Sequence, residues 1–468
     1  MLFNTVHFLI FFVIVTLAYF SLGWSGRWRL LLLASCYFYM IFKPIYFLIL
    51  LSTIIIDYIA GILLENEQNA VKRKLLLVIS LISNIGILVY FKYFNFLNNS
   101  LTEILSWASM TNPIKALDIL LPVGLSFHTF QAMSYTIEVY RGNHKAERHF
   151  GIYALYVMFY PQLVAGPIER PQNVLYQFHQ LHRFNWEKVK SGLFLIGFGL
   201  FKKVVIADRL AILVDHCYNQ PESKNGLSLL LATFFYTFQI YCDFSGYSEI
   251  ALGTARVMGF ELMENFHSPY FSSSISEFWR RWHISLSSWF RDYLYIPLGG
   301  NRVSEFRKYL NQFIVFMVSG LWHGANWTFV IWGSLHGFYL IVAIFRNKYF
   351  PNLKLPQNLW GKTLNVVSTF FLVMLAWVFF RAKNVHDATV ILRKISFTSL
   401  TDTLQSPLNQ VELIFCFMLI ALLMIKDWKF FYVDTSSNKK FWLLTCGLAF
   451  LTYFLGVFET NQFIYFQF

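Results

Sequence analysis

The chain has 468 residues, 56% of them hydrophobic, 20% aromatic and only 13% charged, with a formal net charge of +13. Soluble domains carry about 25% charged residues, so this composition excludes an ordinary water-soluble enzyme; with a mean hydropathy of +0.49 it points to an integral membrane protein. The basic residues sit in loops between apolar runs rather than in an aromatic-interleaved groove, which reads as cytoplasmic loops facing anionic lipid and not as a nucleic-acid surface.

Residues 3–22 form the first predicted span. They lack a basic leader and a small-residue cleavage site, the pattern of a retained helix rather than a signal peptide. Arg27 and Arg29 follow, placing that loop in the cytoplasm and the N-terminus outside. The apolar runs 30–42 and 45–64 are split by Lys43 and Pro44, which predicts a tight helical hairpin or a kink. The loop 65–74, with Lys72, Arg73 and Lys74, is cytoplasmic by charge, and 75–91 leads back out. Residues 95–118 are poorly charged and read as an external interfacial segment.

The run 119–140 is apolar but carries His128, Gln131 and Glu138, and the basic stretch 141–149 is again cytoplasmic. Residues 152–168 are broken by Pro161, Gly166 and Pro167. Irregular backbone at membrane depth is tolerated only inside protein or along a cavity, so this segment is predicted to be re-entrant. A polar cytoplasmic stretch, 169–190, comes next. Residues 191–214 are interrupted by Lys202 and Lys203 and read as two short pieces, whereas 227–244 is a strong span. Beyond Gly259 the chain leaves the bilayer. The runs 309–321 and 326–345 are punctuated by Gly320, Gly324, Gly333 and Gly337, and 363–380, 411–425 and 441–457 close the chain. The sum is an all-α integral membrane protein of roughly ten to twelve transmembrane helices, expected to form a single membrane-embedded domain over 1–468. Its five cysteines, Cys36, Cys217, Cys242, Cys416 and Cys446, have no paired spacing and indicate neither a disulfide framework nor a zinc site.

The least apolar long segment is 239–302. Ser274 and Glu277 there have capping-box spacing before an apolar-periodic run. A helix over 275–293 would put Phe278, Trp282, Leu286, Trp289 and Tyr293 on one face. Ser276, Arg280, His283, Ser287 and Arg291 would fall on another. Two readings fit this basic, histidine-bearing face: a helix lying at the membrane surface, or a wall where Arg280 and Arg291 hold an anionic donor and His283 faces the same cavity. Pro297 and the glycines after it end the element as a turn.

His323 lies downstream in Gly320-Leu-Trp-His-Gly324, within an apolar stretch. A titratable side chain at membrane depth usually faces a cavity or a partner, and the glycines four apart let another backbone come close. A packed, hydrogen-bonded histidine is the competing reading. His336 is thirteen residues on, roughly 20 Å along a straight helix, and reads as structural unless the glycines break that helix; His128 reads as packed. Asp57 and Asp243 are the acids best placed within apolar runs, to orient a histidine or pair an arginine, with structural pairing the plainer role. No Gly-rich phosphate loop, GxSxG elbow, HExxH or paired-cysteine metal site is present, which leaves histidine base catalysis as the available enzyme chemistry.

At these residues the sequence resembles the membrane-bound O-acyltransferase family, and most of all its bacterial branch that O-acetylates alginate or peptidoglycan. The resemblance rests on QIYCDFSGYSEIALG, on ENFHSPYFSSSISEFWRRWHISLSSWFRDYLYIPLGGNR and on LWHGANWTFVIWGSLHG, with PVGLSFHTFQAMSY, YPQLVAGPIERP and WVFFRA beside them. These pieces run from about residue 120 to 384, and the closing FIYFQF is similar too. The resemblance implies a multi-helix bundle, with re-entrant and interfacial helices, around a central cavity. It implies that His323 is catalytic and His283 the second motif histidine, with Arg280, Arg291, Asp243, Asn326 and Trp322 lining the site or binding the donor. It further implies a multi-pass protein of the bacterial cytoplasmic membrane with no tightly bound cofactor and no metal. Acetyl-CoA or a similar donor would be the substrate inside. An extracytoplasmic acetyltransferase partner would relay the acetyl group to a polysaccharide, unless transfer to the glycan is direct. Neutral His323 would take the proton of an acceptor hydroxyl, as an imidazole of pKa near 6.5 is suited to do. Asn326, Trp327 or the backbone near Gly324 would meet the oxyanion. The alternatives are a carrier or flippase for a lipid-linked saccharide, which would show internal symmetry that this sequence lacks, and a scaffold whose histidines only pack.

Overall fold

Every regular element among the described residues is helical. The computed structural model describes residues 1–119, 121–351, 356, 358–399, 401–458, 463 and 464. Five helices are long and apolar enough to cross a membrane: Tyr46–Asn66, Ala70–Trp107, Gly226–Val257, Trp327–Tyr349 and Leu359–Arg381. The chain divides into two compact units. One comprises Met1–Ile196 with Ser248–Met263, the other Gly197–Tyr247 with Glu264–Phe468.

The first unit contains α1 (Val6–Ser21), α2 (Trp24–Met40), α3 (Tyr46–Asn66), α4 (Ala70–Leu88), α5 (Phe94–Trp107), α6 (Leu125–Tyr140), α7 (Phe150–Met158), α8 (Pro171–Phe178) and most of α9 (Trp186–Leu200). Lys43 and Pro44 fall in the turn between α2 and α3, so the two apolar runs are separate helices, as the split between them indicated. The segment expected to lie at the interface after residue 95 instead begins as helix: α4 runs through a π-turn, Val89–Tyr93, into α5. Its polar residues serve the following loop. Asn95 and Asn98 donate to the carbonyls of Leu117 and Ile114 at 2.8 and 3.2 Å. Asp57 on α3 is fully buried and, among the described residues, pairs neither a histidine nor an arginine. Its oxygens accept from Ser80 Oγ at 2.5 Å, from Asn84 Nδ2 at 2.9 and 3.0 Å and from Thr136 Oγ1 at 3.4 Å. His128 is buried on α6 with no hydrogen-bond partner among the described residues, a packed side chain as expected. The predicted re-entrant segment is a nine-residue helix, α7, followed by irregular backbone whose residues 159–169 are all buried. Gln131 and Gln162 satisfy the carbonyl of Tyr156 beside that break, at 2.5 and 2.9 Å.

The second unit begins in α9 and continues through a π-turn, Phe201–Ala207, into α10 (Asp208–Tyr218) and α11 (Gly226–Val257). Lys202 and Lys203 sit in that π-turn, so the predicted interruption is real, though the helix deforms there rather than ending. Both lysines are buried; Lys202 Nζ donates to Ser245 Oγ at 2.9 Å. There follow α12 (Ile275–Arg281), α13 (Ile284–Phe290), α14 (Glu305–His323), α15 (Trp327–Tyr349), α16 (Leu359–Arg381), α17 (Val385–Ser396), α18 (Gln410–Lys429) and α19 (Asn438–Leu455). α14 and α15 turn back on each other as a close pair. A Cβ on Gly320 would come within 2.1 Å of the Phe329 carbonyl, and one on Gly333 within 2.2 Å of the Phe316 carbonyl. Only glycine permits that backbone approach.

The single helix predicted over 275–293 is two helices. The chain breaks at His283, whose φ of 45° is left-handed. The segment before α12 captures the backbone groups freed at the break: His267 N donates to Arg281 O and Ile284 N donates to Asn265 O, each at 2.9 Å. Helical periodicity therefore does not carry across His283, and the expected face shared by Arg280, His283 and Arg291 does not form. The start of α12 is as read, with Ser274 Oγ accepting from Glu277 N at 3.2 Å; the return bond from Glu277 goes to Ser273 N rather than Ser274.

Candidate active site

His323 is the last residue of α14 and is buried. Aromatic rings enclose it: Trp322 and Trp332 have centroids 5.0 Å away and Phe380 5.3 Å away. His283 follows at 6.3 Å. The helix break explains how two histidines forty residues apart in sequence meet. Left-handed backbone at His283 lets α12 end and α13 start with the imidazole between them.

Asn265 holds that imidazole. Its Oδ1 accepts from Ser285 N at 3.2 Å and Ser285 Oγ at 2.9 Å, and lies 3.1 Å from His283 Nδ1. A backbone N–H can only donate, so the atom facing Ser285 is the amide oxygen, and His283 Nδ1 must carry the proton. Nε2 then carries the lone pair. Complete burial pushes the His283 pKa down to about 3, so the ring is neutral at physiological pH. Phe244 packs edge-on against it with centroids 4.6 Å apart. Asn265 lies in the ENFH stretch, yet nothing in its spacing announced this role.

Arg280 and Arg291 share a different space. Both line a cavity of about 500 Å³, together with Trp279, Ser276, Ser287 and Ser319. Ser319 precedes His323 by about 6 Å along α14. The cavity lining includes neither histidine. Arg280 is exposed and makes no ion pair among the described residues, whereas Arg291 bonds Asp292 Oδ1 through Nε at 2.8 Å. The cavity walls are thus largely apolar, with two guanidinium groups among them.

The remaining nominated residues are committed elsewhere. Asp243 is buried and faces Lys203 Nζ at 2.6 Å, and Lys203 also meets Asp208 at 2.8 Å. The other Asp243 oxygen accepts from Ile464 N at 2.8 Å, tethering the chain's closing segment. Phe463 stacks on Tyr247 with centroids 4.5 Å apart and tilts against Phe244, the ring that touches His283. Phe463 and Ile464 are the described part of FIYFQF; the rest lies outside the described residues. Asn326 caps α15, accepting from Thr328 N at 3.0 Å and donating to the Lys383 carbonyl at 2.9 Å. His336 is nearer the site than a straight helix would allow, because α15 runs back along α14. The Trp332 ring lies between the two histidines, 5.0 Å from His323 and 5.1 Å from His336. His336 Nδ1 accepts from Trp279 Nε1 at 3.3 Å.

Comparison with known proteins converges on the same stretch. The sequence profile of the family described as "MBOAT, membrane-bound O-acyltransferase family" matches residues 148–381. A protein of Pseudomonas aeruginosa named "Probable alginate O-acetylase AlgI" is 42% identical over 83% of this chain and 73% of its own length. A "Peptidoglycan O-acetyltransferase" of Helicobacter pylori is 34% identical over 100% of this chain and 98% of its own length. A "Teichoic acid D-alanyltransferase" of Bacillus subtilis is 29% identical over 56% of this chain and 69% of its own length.

Proposed function

The chain belongs to the membrane-bound O-acyltransferase family, and from that premise we propose that His323 is the general base of a transfer that O-acetylates an extracytoplasmic polysaccharide. The protein is a membrane acyltransferase, and the names of its relatives point to an acetyl group and to glycans such as alginate or peptidoglycan. One observation carries the residue assignment. His323 ends α14 packed among aromatic rings beside His283, and the cavity that holds Arg280 and Arg291 reaches Ser319 on the same helix. His283, neutral and fixed by Asn265, is the positioning partner of His323.

The donor in this reading is acetyl-CoA, entering from the cytoplasm with its phosphates at Arg280 and Arg291 and its thioester toward His323. Arg280, which makes no ion pair among the described residues, contributes more than Arg291. No metal or bound cofactor is invoked. The acceptor hydroxyl attacks the thioester carbon while His323 takes its proton. The rings of Trp322, Trp332 and Phe380 packed on His323 keep water from competing for the acyl group. A separate extracytoplasmic acetyltransferase would receive the acetyl group and pass it to the polymer. The protein sits in the bacterial cytoplasmic membrane, as a bundle of ten to twelve crossing helices. In this reading the shorter apolar helix α1 and the helices α2, α14, α18 and α19 would make the crossings beyond the five long ones. Nothing in the comparisons or the geometry favours a saccharide carrier.

The test is His323→Ala in a cell that makes the acetylated polymer. With variant protein at wild-type levels in the membrane, ester-linked acetyl on the polymer is expected to vanish. Unchanged acetylation would refute the assignment, and retained saccharide without loss of acetylation would support the carrier.

A further inference from the structure

Trp332 stands beside His323 with an unused hydrogen-bond donor. Its indole is 0% exposed, and Nε1 has no acceptor among the described residues. Buried indole N–H groups normally find a partner, so a persistent orphan beside a reactive group suggests that the missing partner arrives with substrate. The ring meets His323 edge-on, with planes at 89° and centroids 5.0 Å apart. The close glycine-mediated approach of α14 and α15 fixes that relation, because Trp332 is flanked by Phe329 and Gly333, whose backbones are packed against Gly320 and Phe316.

The oxyanion donors nominated from the sequence are engaged elsewhere. Asn326 spends its side chain capping α15 and bonding the Lys383 carbonyl. Trp327 is half exposed at the start of α15, and the Gly324 N–H donates to the Gly320 carbonyl at 3.3 Å. The three donors nominated from sequence are thus spent or outside the ring-walled pocket.

We propose that Trp332 is a catalytic residue whose Nε1–H binds the carbonyl oxygen of the acyl donor as it becomes an oxyanion. The inference rests on His323 acting as the base. The acceptor oxygen bonds to the thioester carbon, its proton passes to His323, and the carbonyl electron pair moves onto the oxygen held by Trp332. Collapse of that intermediate breaks the carbon–sulfur bond. His323 returns its proton to the departing thiolate, so the products are an acetyl ester and a free thiol.

Trp377 supplies an internal control. Its Nε1 is likewise buried without an acceptor, and its ring stacks on Trp332 at 5.6 Å and 20°, but it makes no ring contact with His323 among the described residues. The experiment uses membranes from cells that make the acetylated polymer, titrated with acetyl-CoA while free thiol and ester-linked acetyl are measured. Trp332→Phe is expected to lower kcat by about 100-fold or more, the effect of losing one oxyanion donor, with little change in the KM for acetyl-CoA and no loss of thermal stability. Trp377→Phe is expected to stay near wild-type kcat. Benzothienylalanine at position 332 keeps the bicyclic shape, replaces the N–H by sulfur and is expected to reproduce the loss, which keeps the question open to test should Trp332→Phe fold poorly. Full kcat in either 332 variant, with His323→Ala inactive, would overturn the donor role and leave the base intact. Equal losses in the Trp332 and Trp377 phenylalanine variants would also overturn it, as a packing effect. Activity in His323→Ala would instead remove the base on which the inference stands.

Discussion

His283 shows what one residue's environment decides. Its imidazole is neutral, protonated on Nδ1 and held by Asn265, so it presents a lone pair on Nε2 within a ring-walled pocket. Asn265→Ala removes the atom on which three donors converge. The expected result is a fall in acetyl transfer of about 100-fold, the scale of a misplacement near 1 Å at a reacting group, while Asn265→Asp, which keeps an acceptor oxygen, retains more activity. Transfer kinetics on the two variants check this, and equal activity in all three proteins would contradict it. Arg280 belongs to a different step. Arg280→Ala is expected to raise the KM for acetyl-CoA severalfold with kcat unchanged, the mark of lost uniform binding, and a fall in kcat at constant KM would place Arg280 in the chemistry instead. These assignments differ in how far sequence could see them. His323 stood out as a titratable group between glycines in an apolar run. Asn265 did not, since its role depends on a chain break and not on spacing, and Trp332 read as one more aromatic residue in an apolar helix.

At the scale of elements, legibility followed regularity. The turn at Lys43 and Pro44, the irregular turn after α7 and the helices closing the chain were readable because prolines, glycines and apolar length act locally. Three features were not. The π-turn at Lys202 and Lys203 keeps a helix going where charge suggested an end, because Ser245, Asp208 and Asp243 receive the ammonium groups. The extension of α4 into α5 was masked by asparagines that bond the following loop. The break at His283 depends on bonds to residues 265–267, which no period within 275–293 can reveal. The glycine contact of α14 and α15 gives a sharp test. Gly320→Leu is expected to stop folding of that pair, because even a Cβ would lie 2.1 Å from a carbonyl oxygen, and membrane-inserted protein should be lost to quality control. Normal levels of folded protein would contradict the packing. Glu277 gives a milder, pH-dependent one. Burial resists its ionisation, but bonds from Ser273 and the Arg281 guanidinium at 2.6 Å hold its pKa below the ordinary glutamate value. A depressed pKa stabilises the fold at neutral pH, and that contribution fades as pH falls through it. Thermal unfolding of wild type against Glu277→Gln should therefore converge in acid and diverge at pH 7.

For the molecule as a whole, all-helical architecture and membrane residence were plain from composition, and the family from the motifs between about residues 120 and 384, a stretch that contains the profile match over 148–381. Within the second unit, charge sets an orientation. Arg302, Arg307 and Lys308 precede or open α14, and Arg346 and Lys348 close α15, so this end is expected in the cytoplasm. A cysteine at position 308 in a cysteine-depleted background should be labelled by an impermeant reagent only after the cells are opened; labelling of intact cells would reverse the orientation. Asp243 has a structural part, neutralising Lys203 and tethering Ile464. Asp243→Asn leaves Lys203 with Asp208 alone and is expected to lower the unfolding temperature; an unchanged one would contradict the pairing.

The central claim is that one histidine at the end of α14 drives acyl transfer from a thioester. The most direct measurement is thiol release from acetyl-CoA, with matching ester gain on the polymer, in membranes carrying wild type or His323→Ala at equal levels. Wild type should release thiol and acetylate in step, and the variant should do neither. Coupled release and acetylation by the variant would contradict the account.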